Sequence, residues 1–362
     1  MLRKEKAVFD FPLRLQSGGI LPKFEIAYET YGKRNEDGSN VILICHGLTS
    51  DQHVTNNNDS EVAPGWWQSV VGPGLAINTD QFFVISANTL GGFGGSTSPA
   101  SLNPINMRAY GVSFPVITIA DMVKAQCCLA DELGITSFYA IIGGCMGGFK
   151  VLEWLCKYPH RLERAVLLST SPKVSTYTQA IWNVARKAIQ LDPYWNKGHY
   201  YGDDGIPHAG LALMSNIGAL FWLSHETMEK NFTNLPIHQG KPHYTLASDF
   251  EIEVFLDKLG HGAANKIDAN SFLYLTRAMD YFDLIREHGS LEKALNRARG
   301  RVLSISYTSD WRYPAKQLEQ VHLVLKKMGL KTEHKVLDSA FGHGAFIYDS
   351  KDLCPILSDF LT

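Results

Sequence analysis

A cysteine flanked by glycines is the residue best suited to covalent chemistry in this chain. The segment Gly143-Gly-Cys-Met-Gly147 follows the apolar run 138–142 and precedes a helical pattern that starts near Gly147. A nucleophile on a sharp strand-to-helix turn needs small residues around it, and its side chain then projects above the sheet. The dipole of the following helix would favour the thiolate of Cys145. The alternative is a glycine-rich turn around a buried structural cysteine.

Two more residues follow at the positions that a catalytic triad requires. Asp310 comes after the apolar run 302–306, and His343 lies between two glycines after a run that ends at Leu337. In α/β-hydrolase folds the nucleophile, the acid and the histidine follow one another in this order. His343 would act as base and acid, and Asp310 would orient its ring. Taken singly, Asp310 is equally typical of a helix cap and His343 of a turn.

The turn after the first core strand indicates an oxyanion hole. His46-Gly47-Leu48 follows the run 41–45, where these folds draw one of the N–H groups that bind the oxyanion. We expect the second N–H group from Met146, next to the nucleophile. His46 and Gly47 would line the substrate pocket, although a simple turn explains them as well.

The order of apolar runs predicts the fold class. Strand-like and helix-like patterns alternate over the first half of the chain and again after residue 300, which is typical of a mostly parallel sheet with helices on both faces. Residues 172–297 show helical patterns and loops instead. We therefore predict an α/β-hydrolase core over residues 1–171 and 298–362, with a helical lid domain over 172–297.

Composition excludes several classes of protein. The 362 residues carry 34 Lys and Arg against 36 Asp and Glu, a balance that argues against nucleic-acid binding through bulk positive charge. No run of about 18 apolar residues predicts a membrane span. The six cysteines have no zinc-site spacing, so we expect no bound metal, and the chain has the features of a cytoplasmic protein with reduced thiols.

Several segments resemble the homoserine O-acetyltransferase family. The matching stretches are Ala27-Tyr-Glu-Thr-Tyr-Gly-Lys33, Cys45-His-Gly-Leu-Thr49, Asn88-Thr-Leu-Gly-Gly92, Gly143-Gly-Cys-Met-Gly-Gly148 and the segment 268–283. The resemblance implies an α/β-hydrolase core with a helical lid that often forms a dimer interface. It also implies ping-pong acyl transfer from acetyl-CoA as co-substrate, with no bound cofactor. The family's triad falls on Cys145, Asp310 and His343.

Four positions depart from the pattern of that family. Its nucleophile is normally Ser, where this chain has Cys145. Its Asp after the catalytic histidine, which recognises the homoserine amino group, is replaced by Gly344. Its lid Arg for the homoserine carboxylate and a Tyr seven residues later match Ser215 and Trp222. Each lost charged contact would cost about 1.5–3 kcal/mol, so we expect an acceptor other than homoserine.

The sequence therefore predicts an acyltransferase that works through an acyl-Cys145 thioester. Its partners would be acyl-CoA and a small acceptor, in a homodimer formed through the lid. An esterase of the same fold is the main alternative, and a binding protein that has lost turnover is another. Convergence on polyhydroxyalkanoate synthases, which also use a Cys elbow, or a laboratory replacement of Ser at position 145 would also explain the cysteine.

Overall fold

The computed structural model describes residues 2–202, 205–232, 234–238 and 240–362. The strands in these ranges are β1 (Arg3–Phe9), β2 (Leu13–Arg14), β3 (Ile20–Leu21), β4 (Phe24–Tyr31), β5 (Val41–Cys45), β6 (Val71–Gly72), β7 (Ile77–Asn78), β8 (Phe83–Ala87), β9 (Ala140–Gly144), β10 (Arg164–Leu168), β11 (Arg301–Tyr307) and β12 (Lys331–Leu337). The α-helices are α1 (Ile119–Glu132), α2 (Met146–Lys157), α3 (Thr176–Leu191), α4 (His208–Trp222), α5 (His225–Phe232), α6 (Glu251–Ala263), α7 (Ala269–Tyr281), α8 (Leu284–His288), α9 (Leu291–Leu295), α10 (Lys316–Lys327), α11 (Ala345–Tyr348) and α12 (Ser350–Leu361).

One eight-stranded sheet organises the molecule, in the order β1-β4-β8-β5-β9-β10-β11-β12. From β8 to β12 every neighbouring pair is parallel, whereas β1 and β4 are antiparallel. Every residue of β5 and β9 is buried, because helices cover both faces of a parallel sheet. The predicted α/β-hydrolase fold class is confirmed.

Strands β1 and β4, which form the antiparallel end of the main sheet, were not predicted from the sequence. The first four residues of β1 are all exposed, so its apolar alternation is too weak to indicate a strand. Its register against β4, from Arg3 opposite Thr30 to Phe9 opposite Phe24, depends on pairing across a long connection.

The described residues between β10 and β11 form helices and loops and add no strand to the main sheet. Helix α4 packs against α3 and α6 within this segment. The segment corresponds to the predicted lid, while the division of the chain into domains stays a prediction.

The loops that follow the parallel strands share one edge of the sheet. Residues 46–48 follow β5, Cys145 follows β9, Asp310 follows β11 and His343 follows β12.

All six cysteines are free thiols. Among the described helices, none combines the length and apolar character needed to cross a bilayer.

Gly147 provides a test of how tightly helix α2 approaches strand β5. A Cβ at Gly147 would lie 1.9 Å from the carbonyl oxygen of Cys45, so we expect Gly147→Ala to lower the free energy of unfolding by about 1–3 kcal/mol. Gly218 in α4 is the control, because a Cβ there meets nothing within 4 Å and Ala favours a helix. Urea unfolding should shift the two midpoints in opposite directions. Equal midpoints would contradict the close approach.

Candidate active site

The turn at Cys145 forces the backbone into a rare conformation. Cys145 has φ 57° and ψ −124° between the end of β9 and the start of α2. Its N–H donates to the carbonyl of Leu168 over 3.1 Å, and its own carbonyl accepts from Thr170 Oγ1 over 2.9 Å. The hydrogen bonds to β10 and the loop after it hold a conformation that is unfavourable for an L-residue. This is the backbone geometry that the glycine spacing predicts for a nucleophile elbow, and the role of Cys145 as nucleophile stays a prediction.

His343 and Asp310 form a buried hydrogen-bonded pair. Nδ1 of His343 donates to Oδ2 of Asp310 over 3.0 Å, and both side chains are inaccessible to solvent. The other Asp310 oxygen, Oδ1, accepts the backbone N–H groups of Arg312 and Tyr313, each over 3.0 Å. Three donors therefore fix the carboxylate, and the carboxylate fixes the tautomer of the imidazole. Nε2 of His343 is buried and has no hydrogen-bond partner.

Two contacts tie the loops that carry this pair to each other. Ser309 Oγ accepts the N–H of Gly342 over 2.9 Å, and Thr308 Oγ1 donates to Asp338 over 2.7 Å. Residues next to Asp310 and His343 thus hold each other across the ends of β11 and β12. The two functional groups keep their spacing because both loops are pinned.

Electrostatics at the site favour a thiolate and an imidazolium. Burial raises the pKa of the Cys145 thiol, but Arg312, His343 and the N–H of Met146 outweigh burial and lower it to about 6. Burial lowers the pKa of His343, while the negative charges of Asp310 and Cys145 raise it above its usual value. The pKa of Asp310 is lowered despite its burial, chiefly by His343. The same interactions therefore stabilise the charged form of each partner.

The predicted oxyanion-hole groups lie beside Cys145. The Met146 N–H faces the Cys145 sulfur and helps to lower its pKa. The N–H of Leu48 has no hydrogen-bond acceptor among the described residues. A Cβ at Gly47 would lie 3.7 Å from the Cβ of Cys145, so this loop approaches the thiol closely. Both N–H groups are therefore available to a developing oxyanion.

His46 occupies a polar cluster under the oxyanion loop. Its Nε2 accepts the N–H of Thr89 over 3.0 Å, and its Nδ1 donates to the carbonyl of Gly47 over 2.8 Å. Thr89 also accepts Nζ of the fully buried Lys150 over 2.7 Å. Burial first, and then Lys150, hold the pKa of His46 well below its usual value. Both ring nitrogens of His46 already have hydrogen-bond partners, so neither is free to bind a substrate. That His46 lines the substrate pocket stays a prediction.

Trp222 and Gly344 fit together against the histidine. The indole of Trp222 meets the imidazole of His343 edge to face, with ring centroids 5.2 Å apart. A Cβ at Gly344 would lie 2.3 Å from Nε1 of Trp222, so no other side chain fits at position 344 beside this tryptophan. Ser215 is half-buried two turns earlier on α4, and its role in the pocket stays a prediction.

Sequence reasoning missed Arg312, which is buried two residues after Asp310. Its guanidinium carbon lies 4.6 Å from the ring centroid of Trp182 and 4.9 Å from that of Phe221. Its positive charge lowers the pKa of Cys145. In the sequence, the one available signal was its position two residues after Asp310. Its burial, which is rare for an arginine, is visible only in the structure.

The candidate site is closed in this structure. Cys145 is 2% and His343 0% exposed, under helices α3 and α4. Two surface clefts of about 290 and 220 Å³ have other residues as their lining. Across the described ranges, no three His, Cys, Asp or Glu side chains are grouped so as to hold a metal ion.

Comparisons with known proteins assign the family. The model of the α/β-hydrolase fold matches residues 40–349. The chain is 42% identical to the homoserine O-acetyltransferase of Caulobacter vibrioides over 353 residues, which cover 97% of this chain and 92% of that protein. This chain belongs to the homoserine O-acetyltransferase family. The resemblance predicted from the motifs is thereby confirmed.

Solved structures of this family's fold include proteins with two kinds of activity in their names. A homoserine O-acetyltransferase from Bacillus anthracis superposes with a TM-score of 0.92 at 30% identity, over 100% of this chain and 98% of that one. An esterase superposes with a TM-score of 0.91 at 28% identity, over the full length of both chains. The family's fold is therefore shared by an acyltransferase and a hydrolase.

The lowered pKa of Cys145 predicts its alkylation profile. We expect the rate of carbamidomethylation by iodoacetamide to rise through about pH 6 and level off above it, because only the thiolate reacts. His343→Ala should move this rise to higher pH by removing the partner of the thiolate. The pKa values of the other five cysteines are raised, so peptide mapping near pH 7 should find one adduct. A rise only above pH 8 would contradict the assignment.

Proposed function

We propose that this chain is an acyltransferase that works through a thioester on Cys145. The observation that carries the proposal is the His343–Asp310 pair, with an unpartnered Nε2 and a thiol whose pKa is lowered beside it. Membership of a family of acyltransferases supports the reaction class.

The first half-reaction transfers the acyl group to the protein. The Cys145 thiolate attacks the carbonyl carbon of an acyl thioester, with acetyl-CoA as the expected donor. The N–H groups of Leu48 and Met146 bind the oxyanion that forms. When the carbon–sulfur bond to CoA breaks, the leaving thiolate takes the proton from His343. One thioester replaces another, so this step is close to thermoneutral.

The second half-reaction releases the acyl group to the acceptor. Neutral His343 now takes the proton from the attacking hydroxyl or amine group. The tetrahedral intermediate collapses, the Cys145 thiolate leaves and the imidazolium of His343 is restored. Asp310 stabilises that imidazolium in both half-reactions.

We further propose that the acceptor is not homoserine bound as the resemblance implies. That mode needs an Asp after the histidine, and here Trp222 fills the space above Gly344. It also needs an Arg on the lid helix, where this chain has the half-buried Ser215. The names of the relatives describe the acceptor of those proteins, and the acceptor of this chain has to be tested directly.

Ester hydrolysis is the second candidate function. The structural similarity to an esterase favours it, as does the apolar wall that Trp222 and Phe346 form around His343. A Cys nucleophile weighs against it, because a thiolate is expelled more easily than an alkoxide when an alkyl ester is attacked.

Intact-protein mass spectrometry after brief incubation with acetyl-CoA tests the proposal. We expect one acetyl adduct that maps to Cys145 and is absent from Cys145→Ala and from protein blocked with iodoacetamide. Cys128→Ala is the matched control, because Cys128 is a half-buried thiol with a raised pKa, and it should acetylate normally. No adduct, together with steady hydrolysis of p-nitrophenyl acetate without any acceptor, would favour the esterase.

We also propose a cytoplasmic homodimer formed through the lid. Leu213 and Leu220 lie seven residues apart on α4 and are 53% and 52% exposed, so the outer face of this helix is apolar. Exposed apolar faces of this kind are typical of protein interfaces.

Sedimentation equilibrium tests the dimer. The double substitution Leu213→Asp with Leu220→Asp should give a monomer, because it introduces charge into a desolvated interface. Leu323→Asp should leave the dimer unchanged, because Leu323 is 55% exposed on α10, outside the lid. A wild-type protein that sediments as a monomer would contradict the proposal.

A further inference from the structure

Arg312 is a buried cation at the candidate active site with no function assigned so far. It is 4% exposed and lies between the lid and the core, against Trp182 of α3, Phe221 of α4 and Tyr313. Aromatic faces attract a guanidinium but accept few of its hydrogen bonds. The surroundings therefore hold the charge in place and leave its N–H groups unused.

The donors around Arg312 have no acceptors. Its Nε and Nη2 are buried without a hydrogen-bond partner, and so are the hydroxyl of Tyr313 and Nε1 of Trp182. The nearest carboxylate, Asp310, already accepts from His343 and from two backbone N–H groups. A buried guanidinium without an acceptor is costly, and a planar fork of this kind matches a carboxylate. An anion bound at Nε and Nη2 of Arg312 would supply the missing acceptor.

The thiolate of Cys145 balances Arg312 in the resting protein, but only until acylation. In their charged forms Cys145 and Asp310 are the anions of this site, and His343 and Arg312 are its cations. Once the sulfur is a neutral thioester and the proton has left His343, the thiolate no longer offsets Arg312. The acyl-enzyme is the form that meets the acceptor, and in it the guanidinium of Arg312 faces a neutral thioester in place of a thiolate.

We infer that Arg312, with the Tyr313 hydroxyl, binds the carboxylate of the acceptor in the acyl-enzyme. The inference rests on the proposed acyl-Cys145 function and names its substrate class, which is a small hydroxycarboxylate. The site gives no partner for an ammonium group next to His343, because Trp222 and Gly344 stand there. An acceptor with a carboxylate and no ammonium group fits these contacts.

A binding experiment tests the inference without turnover. Cys145→Ser removes the thiolate charge, as acylation does, and so imitates the acyl-enzyme. Calorimetric titration of this variant should detect butanoate at least about tenfold tighter than the neutral butanamide, a difference of about 1.4 kcal/mol. Adding Arg312→Gln should abolish the preference. Adding Arg299→Gln, at an exposed arginine outside the lid, should preserve it.

Discharge of the acyl-enzyme gives the second readout. Acetylated wild-type protein should lose its acetyl group at least about tenfold faster to 4-hydroxybutanoate than to 4-hydroxybutanamide, and Arg312→Gln should bring this ratio to about one. The ratio is informative because any change in the reactivity of Cys145 affects both acceptors alike. Arg312→Lys, which keeps the charge, should retain part of the preference if Arg312→Gln fails to fold.

The outcomes separate this inference from the proposed function. If no acetyl adduct forms but butanoate still binds in an Arg312-dependent way, the anion site stands and the thioester route fails. If the adduct forms and neither butanoate binding nor the discharge ratio depends on Arg312, the inference is wrong. If Arg312 instead governs the preference of acylation for succinyl-CoA over butanoyl-CoA, the carboxylate belongs to the donor and the assignment to the acceptor is overturned.

Discussion

The strained turn at Cys145 is the constraint on which the site depends. A residue with φ 57° and ψ −124° persists only where its surroundings determine it. Here the carbonyl of Leu168 and the hydroxyl of Thr170 hold the backbone of Cys145. Because Gly147 has no side chain, the start of α2 can pack directly against the backbone of Cys45. The same turn aims the thiol at His343 and the Met146 N–H at the thiol, so backbone strain and chemical function have one origin.

Charge compensation is the second requirement, because the site excludes water. Burial alone would keep Cys145 and His343 neutral. Asp310 shifts the balance towards imidazolium, and Arg312 with the Met146 N–H shifts it towards thiolate. In a dry site these interactions act at close range without solvent screening. Acylation of Cys145 would remove the thiolate and, with the proton that leaves His343, the imidazolium, so it would change the surroundings of Arg312 and Asp310.

Helices α3 and α4 supply the walls around the candidate site. Trp222 from α4 stands against His343 and takes the space beside Gly344, while Trp182 and Phe221 enclose Arg312. The core contributes the reacting groups from four strand ends, and the helical segment supplies the walls around them.

The sequence by itself determined the parallel strands β5, β8, β9, β10 and β11, because their buried residues form short apolar runs. The half-exposed edge strand β12 followed from its place in the alternation of strands and helices. It also determined the order in which Cys145, Asp310 and His343 follow β9, β11 and β12. It could not determine the antiparallel pair β1 and β4, whose register depends on distant partners. Only tertiary structure decided that Trp222 excludes a side chain at position 344 and that Arg312 lies unpartnered beside the thiol. Both facts depend on packing between lid and core, and no local pattern of residues encodes contacts of that kind.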